Sequence, residues 1–144
     1  IDLRKERKLL IRNCKLTFSL TERLKACMNL NLLEVKRMFS IINEISRLCN
    51  KYGEDFNWGI IPEVNGFVRE LEKETDISQY SDVKAIARSY SCDDVLFMLD
   101  NNIYRIYHLT YSTHNENGFP RFMEFVDTSR VIAYIEKQFI EEYL

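Results

Sequence analysis

His108 and His114 are the residues whose chemistry asks to be considered first. Imidazole titrates near neutrality, and it can act as a general base or bind a metal. Glu116 lies in the same loop as His114, and Asp127 follows the next apolar stretch. The spacing argues against both uses. Five residues separate the histidines, a distance that neither a strand nor a tight turn makes bidentate. The expectation is a strand histidine beside tyrosines and a solvated loop histidine, with no catalytic residue, no metal and no cofactor.

Other chemistries fare no better. A serine or cysteine nucleophile needs a base beside it and donors for the oxyanion, and no glycine-flanked nucleophile elbow is present. Gly53, Gly59, Gly66 and Gly118 are isolated, whereas a phosphate cradle needs clustered glycines that expose backbone N–H groups. Cys14, Cys27, Cys49 and Cys92 are far apart and form no CxxC pair, which excludes a zinc ribbon or a thioredoxin-type site. They read as buried, reduced thiols in a reducing compartment.

Charge is more informative. The net charge of −2 conceals a basic opening (Arg4, Lys5, Arg7, Lys8, Arg12, Lys15) and an acidic stretch further on. Glu63, Glu70, Glu72, Glu74 and Asp76 form that second group. Such a stripe is commonly the wet face of a helix. It also suits a protein that blocks a basic nuclease by placing carboxylates where phosphates would sit, gaining on-rate and specificity. Trp58 and exposed tyrosines would then serve as anchors. Nine Phe and eight Tyr residues supply both cores and interfaces.

The elements that must carry these residues read as follows. A length of 144 residues with 46% hydrophobic and 29% charged side chains predicts one folded α+β domain over residues 1–144 rather than disorder. The opening to about Asn13 reads as helix, and Cys14, Leu16, Phe18 and Leu20 alternate like a short strand. Ser19 and Glu22 form a capping box for a helix through Met28. Leu32, Val35, Met38, Phe39, Ile42, Ile45 and Cys49 mark the strongest helix, stopped near Gly53. Pro62 suits the first turn of the next helix, with Val64, Phe67, Val68 and Leu71 inward and Glu70, Glu72 and Glu74 outward. Ser81-Asp82 caps a short helix carrying Val83, Ile86, Ala87 and Tyr90. Then Val95–Leu99, the turn Asp100-Asn101-Asn102 and Ile103–Leu109 make a β-hairpin. Phe119–Val126 supplies a third strand, and Asp127 or Thr128 caps a closing helix with Val131, Ile132, Ile135 and Phe139. The predicted fold is a helical N-terminal half, a small antiparallel sheet of hairpin plus third strand, and a C-terminal helix.

Two adjacent helices over 20–50 also admit a small DNA-binding regulator. The second offers only Lys36, Arg37 and Arg47 as cations, a thin footprint for phosphates. No apolar run reaches bilayer length, and IDLRKERKLLIRN lacks a signal-peptide core. The expected location is therefore the cytoplasm.

The run DDVLFMLDNNIYRIYHLTYS, then GFPRFMEF and a capped helix, resembles the closing segment of small bacterial immunity proteins of polymorphic and contact-dependent toxin systems. Asp100, Tyr104, His108, Leu109, Thr110, Tyr111, Ser112, Pro120 and Phe125 carry the likeness, which covers residues 93–126. Trp58-Gly59-Ile60-Ile61-Pro62 with Asn65-Gly66 is similar to a second superfamily of immunity proteins. The resemblance implies a non-enzymatic inhibitor that binds one cognate toxin, commonly a nuclease with a basic cleft, in the cytoplasm of the producer.

Overall fold

The computed structural model describes residues 32–62, 65–112 and 116–144. The chain divides into two compact units, residues 1–56 and 57–144. In the first, helix α1 spans Leu32–Tyr52, followed by a 3-10 turn over Gly53–Asp55. Val35, Met38, Ile41, Ile45, Leu48 and Cys49 form its buried stripe, at the three- and four-residue spacing of one helix face. Gly53 has φ +68°, the left-handed conformation that ends helices and suits glycine. Phe56 then stacks on Tyr52 with ring centroids 6.0 Å apart. The strand expected near residues 14–20 and the capping box at Ser19 lie outside the described residues.

The second unit is a five-stranded antiparallel meander with two helices. Its elements are β1 (Trp58–Ile60), α2 (Phe67–Glu74), β2 (Val83–Ser89), β3 (Asp94–Leu99), β4 (Ile103–His108), β5 (Arg121–Phe125) and α3 (Thr128–Tyr143). Each strand pairs with its neighbour in sequence, giving the order β1-β2-β3-β4-β5. The α+β class, the hairpin and the capped last helix match expectation. Asp127 is the cap, its Oδ1 accepting from the Arg130 N–H at 2.8 Å. The β3–β4 turn holds Asp100 and Asn101 at φ 48° and 61°, as a type I′ turn requires.

Two elements differ from the sequence reading. Val83–Ser89 is a strand, not a helix. A bulge between Ala85 and Ala87 shifts the strand's phase, so that Lys84, Ile86, Ala87 and Ser89 are buried. That phase shift puts apolar residues at spacings that imitate a helix. Pro62 does not open α2 either. Trp58–Ile60 is paired with β2, and the helix starts at Phe67, where Asn65 Oδ1 accepts from the Phe67 N–H. The sheet accordingly has five strands where three were expected.

Ile61, Leu71, Ile77, Val95, Phe97, Leu99, Tyr107 and Leu109 form a continuous core cluster on the α2 side. Burying each large apolar side chain there stabilises the fold by about 1.5–3 kcal/mol. The even-numbered residues of β3 and β4 point to the opposite face, and α3 meets that face. The Tyr104 hydroxyl bonds Thr128 Oγ1 at 3.1 Å, and Phe125 packs on Tyr134 at 5.3 Å. The sheet therefore has two separately covered faces, and each positions a different carboxylate.

Candidate functional site

The acidic stripe is not a uniform wet face. Glu72 and Asp76 are exposed and Glu70 is half-buried, but Glu74 is only 6% exposed. Its Oε1 accepts from the Thr110 N–H and the Thr110 hydroxyl, both at 2.6 Å, and its Oε2 from the Tyr111 N–H at 3.1 Å. Two successive backbone N–H groups form a small anion-binding concavity, and the last residue of α2 fills it. Tyr111, at φ 54°, is a bulky residue in left-handed backbone, a conformation that surrounding bonds must hold. Burial alone would raise the Glu74 pKa; the bonds from Thr110, Glu70 and Tyr111 outweigh it and hold the carboxyl below its ordinary value. Glu70 is pushed the other way, by its hydrogen bond with Glu74, by burial and by the Glu74 charge. Glu74 is thus corrected from an outward residue to a strut between α2 and the end of β4.

Trp58 is corrected as well. It pairs with Ser89 at the start of β1, and its ring is buried at 3% exposure, so it is no surface anchor. Glu63 and His114 lie outside the described residues. The carboxylates that remain at the surface converge on a cleft of about 530 Å³ between the end of α2 and the start of β2. Val68, Ile77 and Tyr80 give it apolar lining, and Glu72, Asp76 and Asp82 give it charge. The Ser78 hydroxyl and the Ser78 N–H, the latter 2.9 Å from Asp76 Oδ1, together hold the Asp76 carboxyl below the usual range. Asp82 is paired with Lys84.

A second constellation sits at the open end of the β3–β4 hairpin. Asp94 and His108 are direct cross-strand partners, so their side chains share a face. His108 Nδ1 lies 2.7 Å from Asp94 Oδ1. Cys92, two residues before Asp94 and exposed, brings its thiol to the same place. One donor atom from each of the three residues lies within 4.8 Å of the others. Burial raises the Cys92 thiol pKa against opposing hydrogen bonds from the Ser89 side chain and the Asp94 backbone, and the Asp94 carboxylate adds to the rise. Activated cysteines sit in electropositive surroundings that lower the pKa; the shift at Cys92 runs the other way. Tyr134 of α3 stands within reach of the cluster: burial first, then Asp94 and Cys92, raise its phenol.

Sequence reasoning paired His108 with His114 and missed Asp94 and Cys92. Cys92 was also expected to be buried. The available signal was the hairpin: Asp94 and His108 are equidistant from the turn residue Asn101. No protein-family model matches this chain, and no curated protein or solved structure gives a significant match.

Proposed function

We propose that this chain is a non-enzymatic binding protein of the immunity type, which neutralises a basic toxin, most simply a nuclease, in the cytoplasm of the cell that makes both. The observation that carries the reading is the acid-rimmed cleft beside α2. A long cationic side chain can lay its aliphatic stem along Val68, Ile77 and Tyr80 and place its charged head by Glu72 and Asp76. A basic surface that meets Glu72 and Asp76 is expected to associate rapidly, at a rate that falls with added salt.

The test is protection. Cells carrying the toxin encoded beside this chain are challenged with the parent protein and with the paired reversal Glu72→Lys and Asp76→Lys. Both positions are exposed, so the reversed protein stays folded, giving up only the Asp76–Ser78 bond, and loses protection. Full protection by the reversed protein removes this cleft from the mechanism. Absence of a toxin gene beside the chain removes the immunity reading itself.

A further inference from the structure

We propose that Cys92, Asp94 and His108 form a binding site for a divalent transition-metal ion of the zinc class, with a fourth coordination position open to solvent. The three side chains offer a thiolate sulfur, a carboxylate oxygen and an imidazole nitrogen, and their donor atoms already lie within 4.8 Å of one another. Bonds of about 2.0–2.3 Å in a tetrahedral arrangement put ligand atoms roughly 3.3–3.6 Å apart. Closing on an ion therefore requires side-chain adjustment rather than backbone movement.

The donor set selects the ion. One soft sulfur and one imidazole favour zinc-class metals over calcium or magnesium, which take oxygen ligands in larger number. Thiolate and carboxylate together balance a divalent charge while the histidine stays neutral. The ion would enter between His108 Nδ1 and Asp94 Oδ1, replacing the 2.7 Å bond that now joins them. The raised thiol pKa is no obstacle, because a coordinated thiol loses its proton to the metal's field. Six consecutive cross-strand pairs, from Asp94–His108 to Leu99–Ile103, hold two of the ligands in register before any ion arrives. His108 and Cys92 are exposed, which leaves a path of entry and a position for water or a partner's side chain.

The experiment is a titration of the whole chain with cobalt(II) chloride under a non-thiol reductant. It is read by the sulfur-to-cobalt charge-transfer absorption and by displacement with zinc. One equivalent of cobalt is expected to produce the band, and zinc to abolish it. Cys92→Ser removes the band. Asp94→Asn and His108→Gln each weaken binding by at least about tenfold, the size of loss that even an outer-shell change produces. Circular dichroism and the unfolding midpoint verify that each variant is folded. A chain that gives no band, a band that survives Cys92→Ser, or unchanged affinity in both Asp94→Asn and His108→Gln overturns the site and leaves the cluster a surface ion pair.

Discussion

Glu74 and Asp94 are both carboxylates of the same unit, and they sit on opposite faces of the same hairpin. Glu74 is closed: it is buried, and both its oxygens accept hydrogen bonds from the chain's own Thr110 and Tyr111. Asp94 is open: it is half-buried, with an exposed histidine on one side and an exposed thiol nearby. An acidic side chain whose partners are fixed backbone donors is part of the scaffold. One whose partners are other ligand-type side chains at the surface can exchange them for something that arrives from solution.

The largest effect that could break this comparison is the loss of the Glu74 strut. Glu74→Ala is expected to cost about 3 kcal/mol in a urea unfolding measurement, because it strands two backbone N–H groups and removes charge-assisted bonds. Glu74→Gln, which keeps an acceptor, should lose roughly half as much. A change near zero in both would mean that the carboxylate only decorates α2.

Acid should act on the same strut. The folded Glu74 carboxyl lies below its ordinary value of 4.5, so its contribution is fully present above pH 4.5. It is lost as pH falls through the lower folded value. Glu70, raised above 4.5, opposes that slope, since its folded form holds a proton that the unfolded chain releases. In a Glu70→Gln background, stability is expected to fall below pH 4.5, and adding Glu74→Gln should flatten the curve. Parallel curves would deny Glu74 its role.

Little of this was legible in the sequence, for a physical reason. The partners of Glu74 are 36 and 37 residues away, and helical spacing alone placed its side chain outward with Glu70 and Glu72. Strand β2 was hidden by its bulge, which dressed a strand in helical spacing. The hairpin was legible because its turn chemistry is local: Asp100 and Asn101 tolerate positive φ, and apolar runs flank them. The same locality put Asp94 opposite His108. Reading the histidines as a pair with each other, rather than His108 across its own hairpin, concealed that contact.

Smaller effects sharpen the contrast. Asp94→Asn and His108→Gln should each change folding stability by less than about 1 kcal/mol, since the pair is exposed on the histidine side. Measured with Glu74→Ala in the same urea series, they separate a scaffold carboxylate from a site carboxylate. The paired reversal of Glu72 and Asp76 should cost about 1 kcal/mol, the worth of the Asp76–Ser78 bond that it removes.

The most direct measurement is thermal unfolding of the parent, Glu74→Gln and Asp94→Asn with and without zinc. An ion that binds only the folded chain stabilises it by about 2.7 kcal/mol at a hundred times its Kd. Glu74→Gln is expected to melt below the parent without zinc and to gain as much from zinc as the parent does. Asp94→Asn is expected to melt with the parent and to gain far less. Equal zinc stabilisation of Asp94→Asn and parent, or a Glu74→Gln midpoint equal to the parent's, would contradict the division between a closed carboxylate and an open one.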